Sequence, residues 1–264
     1  MFRRFVPAAV AGLVVGGLIA VATAAGGELR ETVKRVKPAI VGVGSYQTTR
    51  RPPAHLLGTG FVVADGLHVL TNAHVIPEAL DESNREFLAV FVGVGESVSY
   101  RRAERVAEDR AHDVAVLRIS GPRLPSLILG EDATVEEGQP IAFTGFPIGA
   151  VLGLYPVTHR GIVSARTPVA TPAISPQQLD AAMIRRLSDR YEVFQLDATA
   201  YPGNSGSPLY DPGTGRVYGV ISSVFVKQTK ENLLSDPSGI IYAIPIRYAR
   251  DLLEHLGLVA TGSP

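Results

Sequence analysis

Short runs of alternating apolar and polar residues cover most of this 264-residue chain, and Gly, Pro and Asp interrupt them at close intervals. A period of two marks half-buried strands, and the interruptions mark turns. The runs predict strands over Ala39–Val43, Gly58–Ala64, His68–Thr71, Phe87–Gly93, Val98–Val106 and Val114–Ile119. After a gap they resume over Pro140–Thr144, Pro156–Ala165, Val193–Leu196, Ser207–Tyr210, Arg216–Val226 and Ile240–Ile244. Asp65-Gly66 is a strong hairpin turn between the second and third runs. Helical spacing marks two places near the ends. Glu28–Lys37 carries Leu29, Val33 and Val36 among charges. Pro245–Leu256 places Ile246, Ala249, Leu252, Leu253 and Leu256 on one side, with Pro245 near its start and Gly257 after its end. Many short strands with terminal helices predict an all-β pair of barrels.

Between these elements lie the predicted loops. Tyr46–Leu57 reads as a loop with paired arginines and prolines, Glu78–Glu86 as a surface loop and Glu108–His112 as a polar turn. Gly121–Gly138 reads as a helix-free connector. Thr167–Arg190 is an insertion with a predicted helix at Pro176–Arg190, serving either as a gating loop or as a solvated excursion. The expected organisation is 1–27 as an export or anchor segment, 28–122 as the first barrel, 123–138 as connector and 139–264 as the second barrel with its helix.

The N-terminus departs from this pattern. Arg3 and Arg4 precede the 23 uncharged residues Phe5–Gly27, and Ala22-Thr-Ala24 offers a small-x-small cleavage step. The stretch fits a secretory signal peptide, and it is also long enough to span a bilayer, which takes about 20 residues. Both readings stand, and the second would anchor the chain through residues 5–27.

Composition narrows the function. Hydrophobic residues make up 46% and charged residues 19%, as in a globular chain with one greasy segment. Lys+Arg and Asp+Glu both number 25. Cleavage after residue 24 would remove two arginines and leave 23 basic against 25 acidic residues, about −2. A neutral balance argues against nucleic-acid binding. With no cysteine there are no disulfides, no thiol chemistry and no cysteine zinc site. No metal or cofactor is expected.

Candidate chemistry centres on Asp197–Leu209, which contains Pro202-Gly-Asn-Ser-Gly206. Such a turn exposes a hydroxyl and aims backbone N–H groups at one point. A hydroxyl needs a base to become a nucleophile, and the base needs an orienting group. His74 lies in Leu70-Thr-Asn-Ala-His-Val75, and Asp113 opens the strand Val114–Ile119. The order His74, Asp113, Ser205 is the one that chymotrypsin uses. The residue two after Ser205 is Ser207, so the Gly-x-Ser-x-Gly elbow of α/β-hydrolases is absent. An imidazole with its ordinary pKa near 6.5 suits the base, so the rate should fall below about pH 6–7. His55, His68, His159 and His255 have no comparable context and read as packing or surface residues. His112 should point away from the face of Asp113.

Six segments together resemble the HtrA (Deg) branch of the trypsin-like serine proteases. They are Gly58-Thr-Gly-Phe61, Thr71-Asn-Ala-His-Val75, Asp113-Val-Ala-Val-Leu117, Gly161-Ile-Val-Ser164, Pro202-Gly-Asn-Ser-Gly206 and Tyr242-Ala-Ile-Pro245. They occur in the family's order and cover roughly residues 36–256. The resemblance implies two six-stranded antiparallel barrels with the site in the cleft between them. It implies a Ser205–His74–Asp113 triad acting through an acyl-enzyme, and an oxyanion hole from the N–H groups of Gly203 and Ser205. Thr199, Ser222, Ser223, Val224 and Ile240 fall where the family lines its specificity pocket. Alternatively, Ser222 supports Asp113. None of the five is acidic, so small or medium apolar residues are the expected preference, not Lys or Arg. The expected substrates are unfolded or extended exported polypeptides, in the periplasm, outside the cell or at the membrane. Family members often form trimers through N-terminal residues, which here points to Glu28–Lys37. Two departures stand out: the loop at Tyr46–Leu57 is short, and the chain leaves no room for the PDZ domain that commonly follows. The alternative is a latent, chaperone-like envelope protein that binds peptides on the same fold.

Overall fold

The computed structural model describes residues 24–95, 97–147, 153–168, 191–222 and 240–258. All twelve strands of the described residues fall into two closed six-stranded antiparallel barrels. The first holds β1 (Ile40–Tyr46), β2 (Ala54–Val63), β3 (His68–Thr71), β4 (Phe87–Val92), β5 (Ser99–Asp109) and β6 (Val114–Ile119). The second holds β7 (Pro140–Gly145), β8 (Val157–Pro168), β9 (Glu192–Asp197), β10 (Pro208–Tyr210), β11 (Val217–Ser222) and β12 (Ile240–Pro245). Hydrogen-bonding order around the first barrel is β1-β2-β3-β6-β5-β4. Around the second it is β7-β8-β9-β12-β11-β10, the same path repeated.

Alternation in the sequence becomes inside and outside in the barrels. β6 buries Val114, Ala115, Val116, Leu117 and Ile119 and turns Arg118 outward. The second barrel closes on Ile141, Phe143, Phe194, Leu196, Leu209 and Ile221, all essentially inaccessible. Tyr210 is fully buried as well, and its hydroxyl pairs with Thr144 Oγ1 at 2.8 Å, which makes that burial tolerable. Register shifts at Val43/Gly44, Arg105/Ala107, Val163/Ala165 and Leu209/Tyr210 add the local twist that lets sheets curl shut.

Helix α1 (Ala24–Val36) precedes the first barrel yet ties to the second. Thr32 Oγ1 donates to the Gly213 carbonyl at 2.7 Å, and Arg35 reaches the same oxygen at 3.1 Å. Helix α2 (Ile246–His255) follows the second barrel yet packs against β6 of the first. Its buried Ile246, Ala249 and Leu253 join the cluster formed by Val114, Val116 and their neighbours. Asp132 anchors the start of α2, accepting from the Arg247 N–H at 3.0 Å and from Arg247 Nε at 2.6 Å. Each terminal helix therefore straps its own barrel to the other one.

Several expectations need correction. Tyr46–Leu57 is not all loop: β1 and β2 pair as far as Tyr46 and Ala54, so only 47–53 lie outside the ladder. Glu108 and Asp109 belong to β5, paired with Ala115 and Val114. The connector contains a 3-10 turn at Asp132–Thr134, and Leu129 bridges to Val217. In the first two cases hairpin pairing with the next strand overrides polar local composition. Residues 1–23, most of the Thr167–Arg190 insertion, Ser223 and Val224 lie outside the described residues. No helix among the described residues is long and apolar enough to cross a membrane.

Candidate active site

His74 follows β3, in a short 3-10 turn at Ala73–Val75 that buries Ala73 and Val75 and leaves His74 facing outward. Asp113 sits just before β6 in a left-handed backbone conformation, φ 53°, which is uncommon outside glycine. Two bonds to its carbonyl oxygen hold it there. Asn72 Nδ2 donates at 3.0 Å and the Ala73 N–H at 3.3 Å. The turn that carries His74 thus fixes the backbone of Asp113.

The carboxylate in turn grips the histidine. Asp113 Oδ1 accepts the His74 main-chain N–H at 3.0 Å, and Oδ2 lies 2.8 Å from His74 Nδ1. With Nδ1–H donating to the carboxylate, Nε2 is left as the lone-pair nitrogen facing away. Ser222 Oγ, from the end of β11, donates to Asp113 Oδ2 at 3.0 Å. Asp113 therefore joins the two barrels, with a first-barrel ring on one side and a second-barrel hydroxyl on the other.

Ser205 belongs to the second barrel. It lies 4% exposed in the turn before β10, flanked by Gly203 (φ 100°) and Gly206 (φ 87°), angles that only glycine takes without strain. The turn closes on itself through Asn204 N–H to Tyr201 O and Ser207 N–H to Asn204 O, both 3.0 Å. It docks on β11 through Gly206 N–H to Ile221 O and Ile221 N–H to Ser207 O, both 2.9 Å. Ser222, next along β11, is the residue bonded to Asp113, so β11 links the serine turn to the His74–Asp113 pair. The turn also contacts the first barrel, where the Thr59 N–H donates to Ser205 O at 2.8 Å. The Gly203 N–H makes no hydrogen bond among the described residues and remains available to a ligand.

The pocket residues separate. Thr199 is half-buried just beyond β9, and the backbone of Ile240 pairs with Asp197. Ser222 is fully buried and its hydroxyl donates to Asp113, the arrangement expected of the supporting role. Ser223 and Val224 lie outside the described residues.

A second layer lies behind Asp113. His112 points away from the carboxylate, with Nδ1 2.6 Å from Asp109 Oδ2 and its ring stacked on Tyr248 of α2 at 3.8 Å. Tyr191 meets both rings edge-on. Burial, and then the negative charge of Asp113, push the Tyr191 phenol up, so it stays neutral beside the carboxylate. On the serine side, burial against Phe143 pushes the His159 imidazole down. Asn72, Thr59, Tyr191 and Tyr248 have no site role in the sequence reading. Asn72 and Thr59 carried a signal, since both are polar residues inside the two motifs nearest His74.

The sequence model of the trypsin-like peptidase domain matches residues 58–220, which include His74, Asp113 and Ser205. A probable periplasmic DegP-like serine endoprotease of Halomonas elongata is 33% identical over 201 residues, 76% of this chain and 35% of that protein. A second protein of that description, from Pseudomonas savastanoi pv. phaseolicola, is 32% identical over 231 residues, 86% of this chain and 40% of its own. The chain thus spans 35–40% of the length of these two relatives. Among solved structures, the HtrA-type protease AlgW with a tripeptide superimposes with a TM-score of 0.60 at 24% identity, covering 86% of this chain and 63% of that one. That likeness concerns the fold.

Proposed function

Because this chain belongs to the trypsin-like peptidase family, we propose that it is a serine endopeptidase of the DegP/HtrA type, working through His74, Asp113 and Ser205. The observation that carries the reading is the pair of Asp113 bonds, to His74 Nδ1 at 2.8 Å and to Ser222 Oγ at 3.0 Å. They orient the imidazole with Nε2 free and fasten it to the strand on which the Ser205 turn is docked.

In this reading His74 Nε2 takes the Ser205 hydroxyl proton as Oγ bonds to the scissile carbonyl carbon. The carbonyl oxygen becomes an oxyanion that accepts from the Gly203 and Ser205 N–H groups. Each donor is worth about 3–4 kcal/mol by precedent in another protease. The tetrahedral species collapses, the C–N bond breaks, and His74 returns the proton to the leaving amine. Water then attacks the acyl-enzyme by the same route in reverse, releasing the acid and restoring the hydroxyl. Asp113 stays ionised throughout and stabilises the imidazolium.

The proposed organisation is a first barrel over 28–122 that supplies His74 and Asp113, a connector over 123–138 and a second barrel over 139–264 that supplies Ser205. The periplasmic description of the relatives supports export, with unfolded or extended polypeptides as substrates. Thr199 and Ile240, with Ser223 and Val224, would favour small or medium apolar side chains at the cleavage site. The test is labelling with a fluorophosphonate alongside hydrolysis of a peptide library. Wild type should take one label and cleave after residues such as Val or Ala, and Ser205→Ala should do neither. A protein that takes no label yet binds extended peptides would be the latent chaperone-like form instead. Dominant cleavage after Lys or Arg would overturn the pocket assignment.

A further inference from the structure

We infer that Thr59, a first-barrel residue, is the positioning residue that sets the serine turn and its oxyanion donors in the second barrel. The inference rests on the hydrolase reading above and concerns a side chain to which that reading gives no role.

Thr59 is fully buried in the middle of β2 and makes four hydrogen bonds. Its N–H donates to Ser205 O at 2.8 Å, and its Oγ1 donates to Gly203 O at 2.7 Å. The same Oγ1 accepts the Phe146 N–H at 3.0 Å, and the Thr59 carbonyl accepts Thr71 Oγ1 at 2.7 Å. One residue thus holds the carbonyls on either side of Asn204. Those carbonyls belong to the peptide planes that alternate with the two carrying the Gly203 and Ser205 N–H groups. Fixing 203–204 and 205–206 limits how the planes between and before them can rotate.

The register of the first barrel explains why this edge is available. The β2–β3 ladder ends with Phe61 opposite Leu70, so β2 extends past its partner at Thr59. A strand edge without its ladder presents unpaired backbone groups, and here the serine turn takes one of them. The approach is backbone to backbone. A Cβ on Gly206 would run into the Thr59 carbonyl, and one on Gly58 would come within 2.9 Å of Ser205 O. A Cβ on Gly145 would strike the Ser207 hydroxyl and lie 2.9 Å from Thr59 Oγ1. Glycine on all three sides permits the contact, and the threonine hydroxyl gives it direction.

Other side chains of the turn do not duplicate this hold. The Asn204 amide and the Ser207 hydroxyl are buried and make no hydrogen bond among the described residues. A hydroxyl is needed at 59 because the position must donate to Gly203 O and accept from Phe146 N at once. Valine has the same shape and can do neither.

The test compares Thr59→Val with Thr59→Ser in the full chain, alongside wild type and Ser205→Ala. Turnover of a peptide substrate, affinity for a peptide aldehyde and amide hydrogen exchange over residues 201–209 are measured. In Thr59→Val, kcat should fall about 10–100-fold, the scale of a misplaced reacting group. KM should stay within about threefold and the pH–rate midpoint should not move, since His74 and Asp113 are untouched. Aldehyde affinity should fall with kcat because its adduct uses the oxyanion donors, and exchange in 201–209 should accelerate. Thr59→Ser should restore kcat, aldehyde affinity and exchange protection towards wild type. Wild-type kcat and exchange in Thr59→Val would overturn the inference. So would a serine variant as impaired as the valine one, or a loss that appears in KM alone. If Thr59→Val fails to fold, Thr59→Ser still decides, because it must keep both the exchange protection and the rate. If wild type itself takes no phosphonate label, the hydrolase reading fails, and the exchange comparison still judges the clamp.

Discussion

The two barrels follow the same strand path but hold their parts of the site differently. His74 and Ser205 both lie in the connection between the third and fourth strands of their barrels, and Asp113 lies in the connection between the fifth and sixth strands of the first. In the first barrel the arrangement is largely self-contained. Asn72 and Ala73 fix the Asp113 backbone, and Asp113 fixes both the ring and the N–H of His74. In the second barrel the serine turn leans on its neighbour, through Thr59 to Ser205 O and Gly203 O. The proposed base is thus set locally and the proposed nucleophile is set across the seam. A change in barrel packing should reach the serine turn before it reaches the imidazole.

The sharpest way to break the first-barrel half is Asp113→Asn. It keeps the shape of the side chain but no longer favours Nδ1–H, and kcat should fall about 10⁴-fold by precedent in this mechanism. Labelling kinetics and a thermal melt would check that the fold survives. A loss below tenfold would mean that His74 is oriented by something other than Asp113.

Gly206→Ala attacks the second-barrel half. A methyl there meets the Thr59 carbonyl and must also take φ 87°, so the turn has to move off β2. A displacement of about 1 Å at the reacting group costs on the order of 10²-fold. The expected pattern is a fall in kcat, with His74 and Asp113 keeping their NMR signatures. Perturbed His74 resonances with an intact serine turn would invert the comparison.

Ser222→Ala tests the link between the halves. Removing one donor from a charged acceptor costs about 1.5 kcal/mol, or roughly tenfold in rate, since no buried donor is left unpaired. The smallest effect belongs to a site remote from the seam. Glu86 accepts from Ser45 Oγ at 2.5 Å and from Arg50 Nη1 at 2.7 Å. The Ser45 hydrogen bond foremost holds the Glu86 carboxyl below its ordinary 4.5. A carboxyl pKa lowered by folding adds stability above its unfolded value and loses it as pH falls through the folded one. Glu86→Gln should therefore lower Tm at pH 7, with the gap closing as the pH falls below the ordinary carboxyl value, and leave kcat unchanged. A gap that stays constant with pH would remove the charge from that explanation.

What could be read from the sequence follows the same division. His74, Asp113 and Ser205 stand in short turns whose chemistry is local, so motif and order suffice to nominate them. The strands are legible because alternation is local too. The ties that hold the parts together are not legible, because they join residues far apart in sequence. Thr59 and Gly203 are 144 positions apart, and Ser222 and Asp113 are 109 apart. The stack of His112 on Tyr248 and the return of α2 to the first barrel have the same character. The left-handed backbone of Asp113 was hidden for another reason. Nothing in Ala111-His-Asp-Val demands it, and the Asn72 amide imposes it from outside.

The central claim is that a hydroxyl held from one barrel meets an imidazole set in the other, beneath two N–H donors. A crystal structure of the fluorophosphonate adduct tests it most directly. The account predicts phosphorus on Ser205 Oγ, the phosphoryl oxygen within about 2.7–3.1 Å of the Gly203 and Ser205 N–H groups, and His74 still paired with Asp113. Phosphorus on any other residue, or a phosphoryl oxygen turned away from both N–H groups, would contradict it.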